Sequence, residues 1–128
     1  MKSEVGLAIE ELKRHFSSSV VDFQDDGSGG AFVVIESVDL GERYKPRKTW
    51  LGAHIPPLYP YADIYPVFMG ADVRRADGAE FSAPVTCGAS FRGRPAIQIS
   101  RRNNLAGQTL QTAVGKLLKI LKFLETLP

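Results

Sequence analysis

Apolar residues near the start of the chain recur at helical spacing: Val5, Leu7, Ala8, Ile9, Leu12 and Phe16. Ser3 is placed to cap such a helix, and Ser17-Ser18-Ser19 ends the pattern, so the spacing predicts an amphipathic helix over residues 4–16. The pattern then changes to short runs rich in β-branched and aromatic residues at 20–23, 31–38 and 49–55. The first two are separated by Asp25-Asp26-Gly27-Ser28-Gly29-Gly30, a strong turn signal, and the polar residues 41–47 make a second turn. Short strands joined by turns predict an antiparallel meander, with residues 65–69 as its fourth strand.

Residues 55–68 follow neither period. Pro56, Pro57, Pro60 and Pro66 interrupt any helix and any central ladder. The interleaved Tyr59, Tyr61 and Tyr65 predict an ordered loop anchored by its rings. Pro56, Tyr59, Pro60 and Tyr61 are read as structural, with both tyrosines packed on the sheet and bonded through their hydroxyls. Residues 70–84 read as irregular with a turn at 74–78, and residues 95–100 as a short extended segment. The strongest helical pattern spans 109–127. Leu110, Val114, Leu117, Leu121 and Leu124 form its apolar stripe, while Lys116, Lys119 and Lys122 line a solvated face. The order of elements is that of an α+β fold: a helix, a four-stranded antiparallel meander, a proline-rich loop, a cysteine-bearing segment and a long C-terminal helix.

A length of 128 residues suits one domain, residues 1–128, large enough to bury a core without a metal or disulfide. The formal net charge of +2 does not point to nucleic acid, and no aromatic residues interleave with the basic ones in a recognition pattern. There is no layout of a signal peptide and no long apolar run, so a cytoplasmic protein without a membrane partner is expected. The single cysteine, Cys87, excludes an internal disulfide. His15, His54 and Cys87 lack metal-ligand spacing, so neither a metal nor another cofactor is expected. His15 reads as a surface residue and His54 as a structural residue at a strand end, with general base as the alternative role.

The segment Ile55-Pro56-Pro57-Leu58-Tyr59-Pro60-Tyr61, closed by Phe68, resembles the loop that follows the third strand of ubiquitin-conjugating enzymes, and Cys87 falls in register with their cysteine. Residues 95–104, including Arg101-Arg102-Asn103-Asn104, are similar to what bacterial relatives would carry. Such relatives are usually encoded beside an activating enzyme and a ubiquitin-like protein. A setting in antiphage defence would follow from that genomic habit and from no residue here. The resemblance implies a thioester of a ubiquitin-like protein on Cys87, received from an adenylating activating enzyme and passed to a protein target. It also implies that the first helix contacts the activating enzyme. The His-Pro-Asn motif of the family is replaced by Arg75-Ala76-Asp77-Gly78-Ala79, which leaves Asp77 as the nearest polar candidate for orienting an incoming amine.

Thioester transfer needs a thiol, because the thiolate attacks well and its thioester stays reactive toward a second nucleophile. A free thiol has a pKa of about 8.5. Arg92 and Arg94, close in sequence, are expected to favour the thiolate, and Gly88 to leave room for a glycine-tailed partner. The alternative is a buried, inert cysteine. Arg92, Arg94, Arg101 and Arg102 read as one basic cluster, docking either an acidic partner surface or a C-terminal carboxylate, or else as a solvated loop. An inactive variant of the family that only binds a ubiquitin-like protein, and a nucleic-acid or scaffold domain, are the competing functional classes.

Overall fold

In the computed structural model, residues 1–103 and 110–128 are described. The architecture is α+β: helix α1 (Ser3–His15), strands β1 (Val21–Asp25), β2 (Ala31–Asp39), β3 (Tyr44–Lys45), β4 (Lys48–Ile55), β5 (Val67–Gly70), β6 (Arg74–Arg75), β7 (Val85–Phe91) and β8 (Arg94–Ile99), then helix α2 (Ala113–Glu125). The main sheet has six strands in the order β1-β2-β4-β5-β8-β7, every pairing antiparallel. Four strands are predicted from the sequence. The other two are the hairpin β7–β8: β8 falls on the segment 95–100 that reads as extended, and β7 adds the cysteine-bearing segment to the sheet as its edge. Residues 70–84, expected to be irregular, also hold β6, which pairs with β3 in a small second sheet.

Strand alternation creates the core. Ala31, Val33 and Ile35 of β2, Leu51, Ala53 and Ile55 of β4, Val67 and Met69 of β5, and Ile97 and Ile99 of β8 are buried together with residues of both helices. Helix α1 contributes Val5, Ala8, Ile9 and Leu12 to this core, as its spacing predicts. Leu7 is exposed, and Ser3 lies inside the helix, where its hydroxyl donates to Glu4 rather than capping the end. The turn between β1 and β2 is held by Asp26, whose Oδ1 accepts the amides of Ser28 at 2.7 Å and Gly30 at 2.9 Å.

The proline-rich loop organises the start of α2. Tyr59 is buried; its hydroxyl accepts the Ala113 amide at 3.1 Å, while the Pro60 carbonyl accepts the Gln111 amide at 2.8 Å. These bonds satisfy amides at a helix start that has no earlier turn to bond to. Tyr61, expected to pack on the sheet, is 67% exposed. Helix α2 is shorter than the predicted span, and Thr109, where that span begins, lies outside the described residues. Its buried residues are Ala113, Lys116, Leu117, Ile120 and Leu124, so the stripe is turned relative to the one read from sequence, and Leu110 is exposed. At its C-terminus the Arg43 guanidinium donates to the carbonyls of Glu125 and Leu127, putting a cation on the negative end of the helix.

Candidate functional site: a cysteine groove

Cys87 is exposed on the edge strand β7. The pairing of β7 with β8 shifts register between Thr86 and Ala89, and Gly88 there has a φ of +84°, which favours glycine. This bulge sits beside the cysteine and interrupts the ladder, the local device by which an edge strand re-aims a side chain. Cys87, Thr86 and Val85 line one side of a groove of about 620 Å³; residues 73–75 and 78–83 line the rest. Phe81 is held there by stacking on the buried Tyr44, with ring centroids 6.2 Å apart. The groove is thus built on a strand and a braced loop, and the thiol opens onto it.

Arg74 and Arg75 line the same groove, placed there by the pairing of β6 with β3. Arg92 and Arg94, expected from the sequence to lie beside the thiol, are engaged elsewhere. Arg92 lies five residues beyond Cys87, roughly 16 Å along an extended strand. Its guanidinium sits 4.1 Å over the Phe32 ring and donates to Gln24 at 2.7 Å. Arg94 donates both arms of its fork to Glu36, at 3.2 and 2.8 Å, and lies 5.3 Å over Trp50. Both arginines hold the tip of the β7–β8 hairpin across the outer face of the sheet, where Phe91 stacks on Phe68 at 4.9 Å.

The four arginines therefore do not form one cluster. Arg94 opens β8, whereas Arg101 and Arg102 follow its end, roughly 20 Å away by strand rise. Arg101 lies 4.5 Å over Phe123 and Arg102 3.9 Å over Tyr65. Asn104, grouped with them in the sequence, lies outside the described residues.

Asp77 stands in the turn between the lining residues Arg75 and Gly78 and does not itself line the groove. Its Oδ1 accepts the Ala79 amide and its Oδ2 the Arg75 guanidinium, both at 2.9 Å. The Ala79 amide, and after it Arg75, hold its pKa below the usual carboxylate value, so it stays ionised and accepts rather than donates. His54 is on another part of the sheet: its Nε2 lies 2.7 Å from Asp26 Oδ2 and its ring 4.7 Å from Phe32. His15 is exposed at the end of α1. Among the described residues no group of His, Cys, Asp and Glu is arranged to hold a metal ion, and no helix is long and apolar enough to cross a membrane.

Two features lay outside the sequence reading. The sequence places Arg74 and Arg75 only in a turn and Lys116 only on a wet face, whereas the structure puts the arginines in the groove and buries the lysine. The second had a legible signal: Lys116 falls one helical turn before Ile120 and two before Leu124.

A scan against models of known protein families, a search of curated proteins and a search of solved structures each return no match.

Proposed function

We propose that this chain is a divergent member of the ubiquitin-conjugating class that carries a ubiquitin-like protein as a thioester on Cys87. One observation carries the reading: the single thiol of the chain is exposed at a groove of about 620 Å³, beside a loop braced by Phe81. The order of a first helix, successive antiparallel strands, a proline-rich loop and a cysteine segment supports it. The position of Cys87 on a sheet strand departs from the family pattern, in which the cysteine follows an irregular stretch after the last strand.

In this chemistry Cys87 Sγ, as thiolate, attacks the thioester carbonyl presented by the activating enzyme. A new C–S bond forms, and the activating enzyme's thiolate leaves. An amine of the target then attacks the Cys87 thioester, the C–S bond breaks, and the amine's proton passes to solvent as the thiol is restored. Arg74 and Arg75 line the same groove as the thiol, with Arg75 paired to Asp77, so Arg74 is the cation best placed to favour a developing oxyanion. Asp77, as an anion at the loop, suits attraction of an incoming ammonium or amine and not donation to the oxyanion.

That last point favours a second reading, a domain that binds a ubiquitin-like protein without transferring it. The test mixes the protein with its cognate activating enzyme, ubiquitin-like protein and ATP. A thiol-labile adduct that is absent in Cys87→Ala supports transfer. Non-covalent binding of the ubiquitin-like protein, equal in the native chain and Cys87→Ala and without any adduct, supports the binding module. Neither adduct nor binding removes both.

A further inference from the structure

A second depression lies along α2 and shares no lining residue with the cysteine groove. It encloses about 510 Å³, with Arg101, Arg102, Lys119 and Lys122 around an apolar floor of Ile120 and Phe123. The segment carrying the two arginines is fastened to the helix from below. The buried Lys116 ammonium donates to the Arg101 carbonyl at 2.7 Å, and Asp63 Oδ2 accepts the Asn103 amide at 2.7 Å. Arg101 then lies over Phe123, its centre 4.5 Å from the ring centroid, and Arg102 lies 3.9 Å over Tyr65 at the rim.

The charge here is one-sided. Among the described residues no carboxylate lines the depression, and none pairs with Arg101, Arg102, Lys119 or Lys122. Four cations facing one concavity repel one another, and a bound anion with several charges relieves that repulsion. Arginine forks and lysine ammoniums are the donors suited to phosphate oxygens. The volume is that of a small-molecule site, and a concave shape favours a compact ligand over the flat face of an acidic protein.

We propose that this depression binds a compact, multiply charged phosphate-bearing molecule. This holds whether or not Cys87 carries an acyl group.

Calorimetric titration of the whole protein with pyrophosphate at low ionic strength tests it. One site per chain is expected, with affinity falling as salt is raised. Lys119→Gln/Lys122→Gln should weaken binding at least tenfold, and Arg101→Gln should weaken it further. The lysines are exposed, so the far-ultraviolet circular dichroism of the double variant should match that of the native chain. Lys13→Gln/Lys45→Gln removes the same net charge elsewhere and should change the affinity less than twofold. The proposal fails if pyrophosphate shows no saturable binding, binds at several sites per chain, or weakens equally in the control pair. It also fails if a poly-glutamate peptide or a single-stranded oligonucleotide binds at this site in preference to pyrophosphate.

Discussion

The Lys116 ammonium lies 3.0 Å from Asp63 Oδ1 and 3.2 Å from Oδ2, between helix α2 and the proline-rich loop, with the two side chains only 5% and 11% exposed. Oδ2 also accepts the Asn103 amide, and the ammonium also donates to the Arg101 carbonyl, so the pair ties three segments together. Oδ1 faces the ammonium without hydrogen-bond geometry and relies on charge alone. Removing one partner strands the other charge in a low-dielectric setting, which costs far more than the intact pair contributes. Lys116→Met should therefore destabilise the protein by about 3–5 kcal/mol. Adding Asp63→Leu should recover part of that loss. Urea midpoints of the two single variants and the double variant measure both effects, and a strictly additive double variant would contradict the coupling.

Gly52 on β4 leaves room for aromatic rings folded over the outer face of the sheet. A Cβ there would stand 2.7 Å from ring carbons of Phe91 and 2.8 Å from Trp50 Cζ3. Neither ring can retreat freely, since Phe91 stacks on Phe68 and Trp50 carries Arg94. Gly52→Ala should cost about 1–3 kcal/mol through overpacking. Trp50 is the only tryptophan in the chain, so the same substitution should shift its fluorescence emission. An unchanged melting temperature with unchanged emission would show that the rings are not packed as described.

These two sites also show what the sequence disclosed and what it hid. Helix α1 and strands β2 and β4 were legible because their apolar spacing matches one period each. Of the hairpin β7–β8, residues 95–100 read as extended and largely form β8, but β7 and the pairing of the two were not legible. Its two-residue turn, Arg92-Gly93, has φ of +52° and +82°, yet Arg92 carries no signal for a left-handed conformation as Asn or Asp would. Gly88 breaks the alternation of β7 at the bulge. In α2 the apolar residues Val114, Leu117, Leu118, Ile120, Leu121, Phe123 and Leu124 surround most of the helix, so two stripes fit the sequence almost equally. The choice between them rests on Asp63, which draws Lys116 inward from a loop far away in sequence. The cysteine was found by its residue type. The arginines beside it were missed because a β6–β3 pairing, not sequence proximity, brings them there.

Asp26 links the β1–β2 turn to β4 through His54, and its pKa is lowered chiefly by that imidazole, then by the Ser28 amide. A carboxylate whose folded pKa is depressed adds stability above its unfolded pKa and loses it as pH falls through the folded value. This contribution should be complete above about pH 5 and be lost progressively as pH falls below about 4. Asp26→Asn should lower stability at pH 6 and flatten the remaining loss between pH 4 and pH 2. Thermal melts of both proteins across that range provide the comparison, and parallel pH profiles would remove the assignment.

The thiol of Cys87 faces the groove, and nothing in the core depends on it. Substitutions at such exposed positions usually change stability by no more than about 0.5 kcal/mol. Cys87→Ser should therefore melt as the native chain does, whereas a cysteine packed in the interior would leave a polar hydroxyl unbonded and lower the melting temperature by several degrees. Reactivity should follow the same geometry. Iodoacetamide should alkylate the folded protein within about tenfold of the rate for the urea-unfolded chain, because no opening of the structure has to precede attack. A maleimide bearing a short peptide should react comparably, since the groove beside Cys87 accepts more than a small reagent. Raising the bulk opposite the thiol tests this from the other wall: Ala79→Trp should slow the peptide reagent more than iodoacetamide. Protection that rises only with overall stability, equally for both reagents, would place the sulfur behind the fold and remove the basis for acyl transfer.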